Sequence, residues 1–171
     1  EAEAIEYVVE SKLDGIAMEV IYHDDVLEVA VTRGDGRVGE NVTENVRTIR
    51  NLPLRLQGGR GAGPAVAGRI AVRGEVVMTS EGFQELNAQR VIAGLEPYVN
   101  ARNSTAGTVR NLDSRIAAAA PLRFFAHSAG SVSDLQAGSH HEFLASSRAF
   151  GFQVAQGCEL CPGIDAVIRH L

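Results

Sequence analysis

The sequence predicts an α+β domain with antiparallel sheets, on three observations. The stretch IAMEVIYHDDVLEVAVTRGDG reads as a β-hairpin. Strand-like and helix-like runs are interspersed along the chain. They follow no regular strand–helix–strand cadence and contain no internal repeat.

Taken in order, residues 5–11 are apolar and β-branched enough to read as a buried strand that ends before Gly15. The hairpin follows, with residues 16–22 going up, a turn at Asp24 and Asp25, and residues 26–32 returning. Alternation of Val29 and Val31 with Ala30 and Thr32 fits a strand covered on one face. GDGRVG, residues 34–39, is a glycine-rich loop in which Asp35 shapes the turn. Residues 40–51 predict a helix, with Val42, Val46 and Ile49 at helical spacing and Pro53 closing it. Residues 57–68 are turn-rich and read as a surface loop.

Residues 70–78 predict a strand, with the face of Glu75 open. Thr79 or Ser80 caps a helix over 81–92 with Phe83, Leu86 and Val91 facing in. A polar loop then leads to a short helix over 105–111 and a strand over 122–127, in which Phe124 and Phe125 are core residues. A loop over 128–139, a helix over 140–150, a strand over 152–156 and a helix over 164–171 complete the prediction.

The 171 residues suffice for one domain with its own core, and 45% hydrophobic with 22% charged residues is ordinary for a globular chain. No apolar run approaches the roughly 18 residues of a membrane span, and the opening residues lack the pattern of a signal peptide. A net charge of −5 argues against nucleic-acid binding through bulk charge, while leaving room for a local track of arginines. Cys158 and Cys161 have no second pair at zinc-site spacing and read as reduced cysteines of an intracellular protein. Arg47, Arg50 and Arg55 read as a solvated face.

Lys12 is the only lysine; the rest of the 16 Lys and Arg side chains are arginines. An amine can lose its proton and attack, whereas a guanidinium in practice cannot. A lysine becomes a nucleophile once desolvation or a neighbouring cation lowers its pKa. Lys12 lies just before a glycine, where backbone can approach a ligand closely. Asp14, two residues on, shares its face if the segment is extended, and is then placed to orient the amine or accept from a ligand hydroxyl.

ESKLDG resembles the Lys-x-Asp-Gly motif of DNA ligases, RNA ligases and mRNA capping enzymes. TRGDGRVGENVTENVRTIRNLP, VRGEV, NARNSTAGTVRNLD and LRFFAHSAG then follow in the order and approximate spacing of NAD-dependent bacterial DNA ligases. The resemblance covers nearly the whole chain and implies the nucleotidyltransferase fold of a ligase adenylation domain. It implies that Lys12 attacks the α-phosphate of NAD to give lysyl-AMP, with Asp14 and Gly15 completing the motif. Glu10 matches a position lying against the adenine, and Arg33 a nucleotide- and phosphate-contacting arginine. Glu75 matches the acid that bonds the ribose hydroxyls; Arg102 and Arg110 match arginines serving phosphate handling and the nicked strand.

The partners implied are NAD, AMP and nicked double-stranded DNA, with magnesium, or manganese in its place, assisting. The magnesium is expected on phosphates and water, so no residue is named as a metal ligand. A monomer in the bacterial cytoplasm, without membrane association, is expected. Phosphoryl transfer relies on positioning and charge neutralisation, which suits arginines converging on a lysine.

The chain departs from the family pattern at three places. Ala101 stands where the family has proline, freeing a φ angle before Arg102. STAGT replaces AAAGS, and His127 stands near a position often occupied by tyrosine, where an imidazole can also stack. The resemblance further implies a partial adenylation domain over 1–171. A later Glu-Gly-Val-Val-Val-Lys-like motif and a further lysine motif lie outside it, as do an upstream domain recognising nicotinamide mononucleotide and further downstream domains. Weak or absent self-adenylation and no nick sealing are therefore expected of this stretch alone. The competing readings are a non-catalytic nucleotide- or DNA-binding remnant and an ATP-dependent ligase or capping-type enzyme.

Overall fold

A computed structural model of the chain describes residues 5–57, 68–130 and 137–170. Two antiparallel sheets organise them. The larger has four strands in the order β3-β2-β4-β5, where β2 is Ile16–His23, β3 Val26–Thr32, β4 Arg69–Met78 and β5 Leu122–Ala129. The smaller pairs β1 (Glu6–Val9) with β6 (Glu159–Pro162). The helices are α1 (Thr43–Val46), α2 (Ser80–Ile92), α3 (Ala101–Val109), α4 (Ser114–Ala119), α5 (His140–Ala149) and α6 (Ile164–His170). The antiparallel α+β expectation is met.

The predicted hairpin is β2–β3. Its turn residues Asp24 and Asp25 have φ of 47° and 67°, the positive pair that a tight hairpin turn demands. Along β2, Ile16, Met18, Val20 and Tyr22 are buried and the residues between them less so, the period of a strand with one covered face. β4 lies between β2 and β5 and is buried on both faces for much of its length. The core also takes in Phe124, Phe143, Leu144 and Phe152. The Tyr22 and Phe152 rings meet edge-on at 5.6 Å, and Tyr22 Oη donates to Pro53 O at 2.6 Å. Burial pushes the Tyr22 phenol well above its ordinary pKa.

Five local expectations are corrected. The segment 5–11 forms the short β1, whose residues are exposed or half-buried, because it belongs to the small sheet and not to the core. The helix predicted over 40–51 shrinks to Thr43–Val46 followed by turns. Val42, Val46 and Ile49 are buried as expected. However, Asn45 Nδ2 donates to Val109 O and Asn111 O at 2.7 Å each, tying the segment to the end of α3, and Thr48 Oγ1 donates to Asn45 O, a local side-chain bond that competes with helix. Residues 152–156 are packed inward in part but form only one bridge, Val154 to Ala126; the strand lies later, at β6.

In α2, capped by Thr79 Oγ1, Val91 is 60% exposed and faces outward. Ala101 is the first residue of α3, behind the Asn100 cap, so the helix fixes the backbone that proline would otherwise have fixed. Arg102 therefore rides a helix and not a loosened loop. Helix α4 was not anticipated. The loop expected over 57–68 falls mostly outside the described residues, as does part of that over 128–139.

Candidate active site

Lys12 lies between β1 and β2, in a segment without regular structure, and is exposed. Lys12 and Asp14 thus do not ride one strand face; the segment is placed by its neighbours. Gly15 packs against β4 so closely that a Cβ there would stand 2.0 Å from Val76 O, which only glycine avoids. That approach lets Gly15 N donate to Glu75 Oε1 at 3.1 Å. On the other side, Ser11 Oγ donates to Gln156 O at 3.2 Å. The lysine segment is therefore tied to the large sheet at one end and to the chain before β6 at the other.

Two adjoining clefts open beside this segment. One, of about 410 Å³, is lined by Gly15, Thr32, Arg33, Asp35, Arg102 and Arg110 among others. The second, of about 560 Å³, also includes Thr32 and Arg33 and adds Glu19, Arg73, Glu75 and His127. Arg33 faces both, placed where its backbone N–H donates to Ala17 O at 3.0 Å as β3 ends. The loop after it holds Gly34 at φ 54°, and Asp35 Oδ1 accepts from the N–H groups of Arg37 and Val38, so Asp35 shapes the loop as expected. Those two backbone bonds hold its carboxyl below the ordinary value.

Helix α3 and the turn after it deliver Arg102 and Arg110 to the smaller cleft. Arg102 Nη1 stands 3.5 Å from Asp14 Oδ1, and Arg110 Nε 2.6 Å from Glu40 Oε2. Both pairs are substantially exposed, so they orient the guanidinium groups more than they stabilise the fold. Glu75, half-buried on β4, has its pKa raised by burial. The Gly15 N–H, Arg102 and Lys12 pull it back down, while Asp14 adds to the rise. Lys12 lines neither cleft, but its charge acts on Glu75.

Gly15, Arg33, Glu75, Arg102 and Arg110 thus line one or both clefts, with Asp14 3.5 Å from Arg102 and Lys12 in the same adjoining segment. Glu10 is separate: it meets His140 Nε2 at 2.6 Å and Cys158 Sγ at 3.6 Å, and lines neither cleft. Its charge nevertheless acts on His127, whose pKa is lowered chiefly by burial, with Glu10 opposing and His140 and Arg73 adding to the fall.

Sequence reasoning missed the Glu19–Arg73 pair, 2.9 Å apart in the larger cleft, because it exists only through the β2–β4 register that sets these residues opposite each other. It missed His140 as well, which gives no signal short of the fold. Among the described residues no group of three or more His, Cys, Asp and Glu side chains could hold a metal. No helix among them is long and apolar enough to cross a membrane.

An antiparallel sheet thus carries a clamped lysine segment beside an arginine-lined cleft. Residues 1–171 match the NAD-dependent DNA ligase adenylation domain over their whole length, and the chain belongs to that family. It is 44% identical over 169 residues to a DNA ligase of Alcanivorax borkumensis, covering 98% of this chain and 21% of the relative. It is 44% identical over 168 residues to a DNA ligase of Geobacter metallireducens, covering 98% and 24%. A DNA ligase of Alkalilimnicola ehrlichii is 47% identical over 159 residues, covering 93% and 23%. The chain therefore spans between a fifth and a quarter of the length of these relatives.

Proposed function

We propose that this chain is the nucleotidyl-transfer core of an NAD-dependent DNA ligase and works within a longer chain. The Lys12 amine gives its electron pair to the α-phosphorus of NAD. The P–O bond to nicotinamide mononucleotide breaks, that leaving group takes the bonding pair, the nitrogen releases one proton to water, and AMP remains on Lys12 as a phosphoramidate. A 5′-phosphate oxygen at a nick in double-stranded DNA then attacks that phosphorus and breaks its bond to the Lys12 nitrogen; the 3′-hydroxyl across the nick attacks the activated 5′-phosphate, and AMP leaves as the strand is sealed.

The Gly15–Glu75 hydrogen bond is the observation that carries this reading. It clamps the segment bearing the nucleophile to Glu75 in the wall of the larger cleft, next to the smaller cleft that Gly15 lines together with Arg33, Arg102 and Arg110. Guanidinium forks suit phosphate oxygens, and charge neutralisation is most of what phosphoryl transfer asks of a protein. In this reading Glu75 accepts from the ribose hydroxyls through the oxygen that Gly15 leaves free, and Glu10 faces the purine. Asp14 steadies Arg102. Arg33 takes nucleotide phosphate, and Arg102 and Arg110 serve the reacting phosphates and then the nicked strand.

Magnesium, or manganese, would add positive charge at the phosphates. The described residues form no cage for it, so phosphate oxygens and water would hold it. DNA contact runs through the phosphate backbone, since a ligase must accept any sequence. With a net charge of −5 here, much of that contact falls to other parts of the longer chain. The molecule acts as a monomer in the bacterial cytoplasm, away from membranes. Residues 1–171 alone are expected to self-adenylate weakly or not at all.

The test is the intact mass of the full ligase after incubation with NAD and magnesium, wild type beside Lys12→Arg. A gain of one AMP in the wild type and none in the variant is the expected result. No adduct in the wild type, or an adduct kept by the variant, would overturn the assignment.

A further inference from the structure

Glu10 and His140 lie 130 residues apart in sequence and 2.6 Å apart in space. His140 is the first residue of α5, behind the Ser139 cap, whose hydroxyl accepts from Glu142 N at 3.2 Å. Its ring lies nearly parallel to that of buried Phe143, with centroids 6.2 Å apart and planes 13° apart. Cap and ring together fix the direction of Nε2. An ionised carboxylate can only accept, so Nε2 carries the hydrogen and donates to Glu10 Oε2.

The second carboxylate oxygen has a different neighbour. Cys158 Sγ stands 3.6 Å from Oε1, but 2.9 Å from Ala155 O. A thiol has one proton, and the backbone carbonyl is the nearer acceptor. Burial first, and Glu10 second, push the Cys158 thiol above its ordinary pKa and keep it protonated. Oε1 thus keeps open acceptor capacity while Oε2 is occupied.

We propose that His140 is a positioning residue that sets the base preference of the nucleotide site. By holding Oε2, it presents Oε1 as a fixed acceptor for the 6-amino group of adenine. A 6-oxo purine such as hypoxanthine would set a carbonyl oxygen against a carboxylate that cannot turn away. The inference rests on the proposed NAD reading and on the placement of Glu10 against the purine. What it adds is that the choice of base is set from α5, outside every motif that the sequence presents.

The experiment compares wild type, His140→Leu and His140→Gln in the full ligase. Single-turnover AMP loading of Lys12 is measured with NAD and with nicotinamide hypoxanthine dinucleotide. Leucine keeps apolar bulk against Phe143 and removes the donor, whereas glutamine keeps an N–H donor without the ring. His140→Leu is expected to raise the KM for NAD about tenfold, the loss of one hydrogen bond to a charged group. The maximal loading rate stays within about twofold, and the preference for NAD over the hypoxanthine dinucleotide falls by a similar factor of about ten.

His140→Gln is expected to recover most of that preference, which a merely structural role for the ring would not produce. An unchanged preference in His140→Leu, or a glutamine variant no better than leucine, would overturn the inference and leave the ligase reading intact. A wild type loaded by neither dinucleotide would overturn the ligase reading, and this inference with it.

Discussion

The four-stranded sheet and the segment bearing Lys12 are held by different means. β2 and β4 pair in an unbroken register, β4 and β5 pair with one shift at Arg73/Gly74, and together they bury Val20, Val72, Val76 and Phe124 completely. The lysine segment has no such core. It hangs between β1 and β2 on Gly15 N to Glu75, Ser11 Oγ to Gln156 O and Glu10 to His140. Packing free energy scales with buried apolar area, so stability resides in the sheet. A nucleophile of the kind proposed, which would meet first a dinucleotide and then a DNA end, is placed where few contacts resist its movement.

That contrast can be broken from the sheet side first. Phe124 is fully buried against Phe152, with ring centroids 6.0 Å apart. Phe124→Ala should cost about 4 kcal/mol in a urea titration. Gly15→Ala tests the seam. Its Cβ would collide with Val76 O, so the variant should lose about 3 kcal/mol and AMP loading should fall with it, as the Gly15–Glu75 clamp opens. Unchanged melting would show that the segment is not pinned there.

Glu75→Gln separates the two properties. Burial raises the Glu75 pKa above that of the unfolded chain, so its contribution to stability is present in full below the carboxylate range and lost as pH rises through the raised value. At about pH 7 the ionised group opposes folding. Glutamine, which keeps an oxygen for Gly15 N, should raise the Tm by about 1–2 °C there and by nothing at about pH 3. AMP loading should meanwhile drop at least about tenfold. A lower Tm at neutral pH would contradict the sign. Ser11→Ala, on the exposed arm, should cost about 0.5 kcal/mol and slow loading about twofold, readable by thermal melt and stopped-time mass analysis.

The same contrast explains what could be read from the chain. The hairpin, β4, α2 and α5 announce themselves because their periods are local and their caps are specific: Thr79 for α2 and Ser139 for α5. Residues 40–51 deceived because Val42, Val46 and Ile49 are buried as a helix would bury them, while Thr43 and Asn45 spend their side chains on backbone elsewhere and Thr48 bonds back to Asn45 O. β6 hid behind Cys158, Cys161 and Pro162, since its partner lies at the other end of the described chain.

Among the proposed site residues, Glu10, Lys12, Asp14, Gly15, Arg33, Glu75, Arg102 and Arg110 could be named from motif resemblance. The face of Glu75 could not, because β4 is buried on both sides and alternation carries no signal there. Glu19 with Arg73 and Glu10 with His140 needed the register and the docking of α5.

The pairing of Glu6–Val9 with Glu159–Pro162 bears on when the surroundings of the Lys12 segment are completed. Closing a loop of that length in an unstructured chain costs on the order of 4 kcal/mol in entropy, so the small sheet is a poor place for folding to start. The hairpin and β4 can assemble first and bring the distant strands near one another. During synthesis, β6 leaves the ribosome more than 140 residues after Lys12. Lys12 thus gains its neighbours on the β6 side only after all four strands of the larger sheet have emerged, and an emerging chain carries the amine long before it carries those neighbours.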